Sequence, residues 1–270
     1  MNIAGIVRKT EFSPNHVMND YLIIKATADL LIRLGADVCI YSEDDLMSRD
    51  VAEDYIFSMV QSPTGIKRLL ELSRNKKLVV NNPQSVINCY RYNLVRILSQ
   101  DGINSPDSII IATNNPDLTL IESLNCKKWI KRGDAHAVSA KDVVFIDRND
   151  ELERILSDFQ ERNIDRCVIQ NHIEGDTIKF YSILDTDFFH CYGTDLKHGN
   201  KFSVNELRET ANKAATSLGL EIFGGDAIIT RDSEIYIVDI NDWPSFAPVR
   251  NQAGEAIGKY IYNKIQTLQK

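Results

Sequence analysis

The sequence predicts an α/β chain whose C-terminal half turns to α+β. Over the first 80 residues, short apolar runs alternate with stretches of helical spacing, the pattern of a small, largely parallel sheet. From residue 167 onward strand-like runs follow one another and end in a hairpin pattern over 222–240. At 270 residues, 43% of them hydrophobic and 26% charged, the chain can bury a substantial core.

The elements are read in order. Ile3–Val7 is a strand, Asp20–Leu34 a helix stopped by Gly35, and Asp37–Tyr41 the next strand. Strands at Asp54–Met59 and Lys77–Val80 bracket a helix in TGIKRLLELSRN, with Thr64 placed as its N-cap. Asn81-Asn82-Pro83 signals a turn, and one helix is expected over Ser85–Gln100, closed by Gly102. Then come a strand at 108–112, a helix near Asp117–Leu124, strands at 128–131 and 142–146, and a helix over Glu151–Glu161. Strands at Cys167–Gln170, Ile178–Leu184 and Phe188–Tyr192 precede an amphipathic helix, Asn205–Leu218, the hairpin, and a final helix from about Asn251. Three units are expected: 1–84, 85–167 and 168–270.

Thirty-one basic and 38 acidic residues give a net charge of −7, which argues against nucleic acid as the main partner. No apolar run approaches the roughly 20 residues that span a bilayer, so no membrane partner is expected. The five scattered cysteines form no CxxC pair, and MNIAGIVRKT lacks the form of a secretory signal; both point to the cytoplasm. A homo-oligomer is compatible with the sequence but not readable from it.

The hairpin, GGDAIITRDSEIYIVDINDWP (224–244), carries the chemistry. A loop symmetric about the bond between Asp232 and Ser233 sets Asp226 directly opposite Asp239, and Asn241 projects from the same face as Asp239. An odd loop would put the two aspartates on opposite faces. Directly opposed carboxylates sit about 5 Å apart at Cβ and repel, so the pair calls for a cation. Two carboxylates and an amide oxygen suit Mg²⁺, which keeps some waters and takes oxygens from nucleotide phosphates.

These residues resemble the C-terminal signature of ATP-grasp enzymes: GLEIFGGDAIIT…EIYIVDIND carries the D…(D/E)xN pattern of their magnesium ligands. Upstream, WIKRGD (129–134) is similar to the strand whose lysine meets phosphate. VIQNHIEGDTIKFYSI (168–183) is similar to the segment that holds adenine and ribose. LVVNNPQSVINCYRYNLVRILSQDGINSPDSI resembles the entry to the core, and the whole match, Leu78–Phe246, is most similar to the glutathione synthetase and ribosomal-protein glutamate ligase branch. The resemblance implies an ATP-grasp fold preceded by a small parallel-sheet domain, with ATP and Mg²⁺ (or Mn²⁺) as cofactors. It assigns Lys131 to phosphate, Gln170 and Ile173 to adenine, Asp176 or Glu174 to ribose, and Lys179 to the γ-phosphate or substrate. Asp226, Asp239 and Asn241 become the metal ligands.

Two departures stand out. Tyr92-Asn93 replaces the family's Asp-Lys, with Arg91 beside it as a substitute charge. The phosphate-covering loop, RGDAHAVSA, has one glycine, with Arg132 and His136 as compensating groups.

The implied activity is ligation of a small-molecule or peptide carboxylate to an amine or thiol through an acyl phosphate. The acceptor carboxylate wants a bidentate cation, for which Arg250 is the first choice and Arg8 the second. Competing readings are an ATP-grasp kinase of the inositol phosphate type, which also carries DxN, and a non-catalytic nucleotide-binding protein.

Overall fold

A computed structural model describes residues 1–13, 16–135 and 139–270, apart from the side chains of 118, 122 and 123. The N-terminal layer runs β1 (Asn2–Ile6), α1 (Val17–Arg33), β2 (Asp37–Tyr41), α2 (Glu43–Ser48), β3 (Tyr55–Ser58), α3 (Pro63–Ser73) and β4 (Leu78–Val80). Its strands are parallel, in the order β2-β1-β3-β4. Helix α2 is absent from the sequence reading, although its signal was there: Ser42 and Asp45 cap each other reciprocally. Helix α3 is capped by Ser62, whose hydroxyl accepts from Gly65 N, with Pro63 at the first helical position. The cap is therefore Ser62 and not Thr64.

The single helix expected over 85–100 is two, α4 (Pro83–Asn88) and α5 (Arg91–Gln100), separated by an extended Tyr90. Asn93 fixes the corner by donating its side-chain amide to Ile87 O at 3.0 Å. The break makes Arg91 the first residue of α5, with its side chain buried.

The middle sheet contains β5 (Ser108–Ala112), β6 (Lys128–Arg132), β7 (Val143–Ile146) and, after α6 (Leu152–Glu161), β8 (Arg166–Asn171). Its order is β5-β8-β6-β7, antiparallel throughout. The segment 118–123 is a 3₁₀ turn, tighter than the helix expected there. The third sheet is built from β9 (Asp176–Ile183), β10 (Phe189–Asp195) and, after α7 (Val204–Leu218), β11 (Ile222–Ile229) and β12 (Ile235–Asp242). Its order is β10-β9-β11-β12, again antiparallel, and α8 (Arg250–Leu268) follows.

The cores do not respect the boundaries expected at 84/85 and 167/168. Strand β8 lies whole within the middle sheet, so a cut after 167 divides it. Cys89, at the junction of α4 and α5, and Leu94 and Leu98 of α5 pack with Leu207, Ala211 and Phe223 of the third sheet's layer. Ile257, Ile261 and Ile265 of α8 return to Ile3, Ile23 and Leu31 of the first. Asn81 ties the layers together: its amide donates to Ile222 O at 2.7 Å and accepts from Glu221 N and Ile222 N. Among the described residues no helix is long and apolar enough to cross a membrane.

Candidate active site

The hairpin β11–β12 brings Asp226 opposite Asp239, but by a different route from the symmetric loop. Next to the turn the pairs are Ile229–Ile235, Ile228–Tyr236 and Ala227–Ile237. That register belongs to an odd loop and, continued, would set Asp226 against Val238. Instead the ladder shifts by one residue between Asp226 and Ala227, leaving Val238 as a bulge. Beyond the bulge Asp226 faces Asp239 and Gly224 faces Asn241. On its other side Asp226 pairs with Lys179 of β9. Gly225 is required here, because a Cβ would lie 2.3 Å from Asp239 O and 2.7 Å from the Phe180 ring.

Two cavities flank this strand pair. The first, about 410 Å³, lies between the middle and third sheets and is lined by Trp129, Lys131, Gln170, Ile173, Asp226 and Val238, among others. The second, about 430 Å³, lies between the third sheet and the ends of the parallel strands. It receives Arg8 from beyond β1 and Gln61 from beyond β3, the point where the parallel sheet's order reverses and where open α/β sheets bind ligands. Lys179, Asn241 and Asp242 line its other wall. Arg91 and Asp239 line both cavities.

The junction gathers three basic side chains, of which Lys131 and Arg91 are buried. Lys131 is 9% exposed; burial pushes its ammonium down to about 8, Asp239 opposes that shift and Arg91 adds to it. Its Nζ donates to Gln170 Oε1 at 2.6 Å and to Val238 O at 3.4 Å. Lys179 donates to both oxygens of Asp226, at 2.9 and 3.1 Å. Burial pulls the Lys179 ammonium down, yet the Asp226 carboxylate outweighs it and leaves it raised. Arg91, 5% exposed, donates Nη2 to Asp239 at 3.5 Å, while its Nε and Nη1 are buried without a hydrogen-bond partner. Unmet buried guanidinium donors of this kind suit an anion. Asp226, Asp239 and Asn241 are hard oxygen donors of the kind Mg²⁺ takes, so the set fits the ion. Among the described residues no third Asp, Glu, His or Cys joins them in a cluster.

The structure brings Lys131, Gln170, Ile173, Arg91, Asp226, Asp239, Asn241 and Lys179 to this junction or its two cavities. Two residues of the expected set lie elsewhere. Asp176 is 1% exposed and is not part of either cavity; its carboxylate accepts the backbone amides of His198 (2.7 Å) and Asn200 (2.5 Å). Burial alone would raise that carboxyl, but the amides hold it below the usual range. Glu174, the other candidate, does line the first cavity and pairs with Lys127 at 2.8 Å. Arg250, at the start of α8, hydrogen-bonds Asn19 and does not line the second cavity. Arg8 does, but its guanidinium is held by Asp20 (3.1 Å), Met59 O (3.2 Å) and Trp243 O (3.0 Å).

The glycine-poor loop also reads differently. Gly133 serves strand pairing: its N donates to Arg166 O at 2.9 Å, and a Cβ would meet that oxygen at 2.8 Å. Arg132 is engaged by Asp134 and Asp142. His136 lies outside the described residues.

Trp129 and His172 were missed. The indole N–H donates to His172 Nδ1 at 3.2 Å, and both rings line the first cavity. The signal for Trp129 was present, since it stands two residues before Lys131 on one strand and so shares its face.

No known family profile matches the chain, and no curated protein matches it in sequence. Solved structures do. A D-alanine–D-alanine ligase from Bacillus anthracis complexed with ATP superposes with a TM-score of 0.72 at 17% identity, covering 100% of this chain and 99% of that one. The VanG D-Ala:D-Ser ligase from Enterococcus faecalis gives 0.72 at 14%, covering 97% and 98%. A RimK domain ATP-grasp protein from Sphaerobacter thermophilus gives 0.69 at 14%, covering 97% and 100%. Over its whole length, this chain has the ATP-grasp fold.

Proposed function

We propose that this protein is an ATP- and Mg²⁺-dependent ligase that joins a carboxylate to an amine or thiol through an acyl phosphate. The observation that carries this reading is that two cavities meet at Arg91 and Asp239. A phosphoryl transfer needs its donor and acceptor on either side of one point, with positive charge gathered there. The first cavity suits the nucleotide, with the base against Trp129 and Ile173 and the phosphates toward Lys131 and Arg91. The second suits the acceptor. Likeness to a ligase complexed with ATP supports a nucleotide in the first.

Asp226, Asp239 and Asn241 would hold Mg²⁺, which when bound neutralises phosphate charge and polarises the transferring group. Lys131 and Arg91 orient the triphosphate and meet charge that develops on its equatorial oxygens. Lys179 faces the acceptor side. The acceptor carboxylate oxygen attacks the γ-phosphorus and ADP leaves. The amine or thiol then attacks the acyl carbon, its proton is lost and phosphate departs.

The kinase reading fits the second cavity less well. Arg8, Arg91 and Lys179 there are matched by Asp20, Asp239 and Asp242, which is not the dense basic wall a polyphosphate needs. The test is ATP turnover with amino-acid and short-peptide mixtures, with and without hydroxylamine. A ligase releases ADP and phosphate together and yields a hydroxamate when hydroxylamine intercepts the acyl phosphate. Stable transfer of phosphate to product, or no ATP consumption, overturns the proposal.

A further inference from the structure

The Lys179–Asp226 pair forms part of the wall between the two cavities: Asp226 lines the first and Lys179 the second. Both oxygens of Asp226 are engaged by the one ammonium. The contact follows from sheet register, since the two residues face each other across β9 and β11 while Asp239 flanks Asp226 on β12. Side-chain exposures of 31% and 26% leave the pair reachable from solvent. An ammonium and a divalent cation cannot both sit on one carboxylate without strong repulsion, so the lysine stands where a metal would bind.

We propose that Lys179 is an exchangeable counter-ion: metal entering the first cavity with the nucleotide displaces it from Asp226, and the freed ammonium turns into the second cavity as the carboxylate acceptor's cation. This rests on the ligase reading and adds an order to it. Arg8 is already held by three partners, Arg250 hydrogen-bonds Asn19, and Arg91 is buried and faces the triphosphate in the ligase reading, so the second cavity's mobile positive charge comes from Lys179. Metal–nucleotide binding therefore comes first and raises acceptor affinity; by linkage, the acceptor raises metal affinity by the same factor. Free divalent metal without nucleotide binds poorly, because nothing compensates the displaced ammonium.

The test is a titration of nucleotide-free protein with Mn²⁺, reading the unbound ion by electron paramagnetic resonance. Wild type, Lys179→Met and the double variant Lys179→Met/Asp226→Asn are compared, with thermal melting to confirm folding. Lys179→Arg, which keeps the charge, guards against a packing effect. We expect Lys179→Met to bind Mn²⁺ at least about tenfold more tightly than wild type, Lys179→Arg to behave like wild type, and the double variant to lose the gain. If Lys179→Met leaves Mn²⁺ affinity unchanged or weaker while wild type binds Mn²⁺ with a non-hydrolysable ATP analogue, this proposal falls and the ligase reading stands. If no folded variant binds Mn²⁺ even with the analogue, the metal site itself is wrong and both fall.

Discussion

Lys131 and Gln170 share a 2.6 Å hydrogen bond between neighbouring strands, donated by a buried ammonium to an amide oxygen. Its hydrogen-bond partners are neutral oxygens, that amide and Val238 O, with no carboxylate between them. Its charge is therefore poorly solvated until an anion arrives.

That arrangement gives a pH signature. Burial lowers the free-state value to about 8, and bound phosphate favours the charged form and raises it. Below pH 8 lysine is protonated in both states and binding is insensitive to it. Above pH 8 the free protein has lost the proton and the complex keeps it, so nucleotide affinity falls and binding takes up close to one proton. Calorimetry in buffers of different ionisation enthalpy at pH 7 and 9 measures this; equal proton uptake at both would refute it.

Trp129 should report on the first cavity. The only other tryptophan, Trp243, is fully buried. Adenine nucleotide is expected to quench emission, and Trp129→Leu to abolish the quench and weaken binding by about tenfold, the value of one base–aromatic contact. A quench that survives Trp129→Leu places the base elsewhere.

Gly225→Ala should cost about 3 kcal/mol in urea denaturation, because the clash is with backbone and a packed ring rather than with a flexible side chain. Magnesium-dependent nucleotide binding should be lost as well, since the oxygen that must move belongs to Asp239.

Asp176→Asn should lower the melting temperature without changing the ratio of affinities for ATP and 2′-deoxy-ATP. Its carboxyl is held low by amides in the folded state, so its stabilisation is present above the unfolded value and lost as pH falls through the folded one. Glu174→Gln is the variant expected to alter that ratio, and the pair of measurements separates loop support from ribose contact.

The parallel layer, α2 apart, was legible because strand and helix periods differ and because Gly35 ends α1 and Pro63 begins α3. The acidic hairpin was legible for a subtler reason. Its outer pairing was right although the loop was taken as even, because one wrong assumption about the turn was offset by an unforeseen bulge at Val238. Bulges depend on backbone twist against neighbouring strands and leave little mark on side-chain pattern. Arg250 and Asp176 were harder to place for a related reason. Neither a resemblance nor a residue type says which neighbour claims a side chain, and Asn19 and two loop amides do so here. Asn93 looked like a lost phosphate contact; its amide instead fixes the corner that presents Arg91.

The packing of α8 against α1 and the core of the first layer has a consequence for how the protein is made. Ile3, Ile23 and Leu31 emerge early during synthesis, but the isoleucines that cover them belong to residues 250–268. Until those are translated the N-terminal layer presents an open apolar flank, so it is expected to depend on chaperone cover and to mature together with the β11–β12 hairpin. Removing α8 should therefore cost the first sheet its solubility even though the sheet's own hydrogen bonds are all upstream.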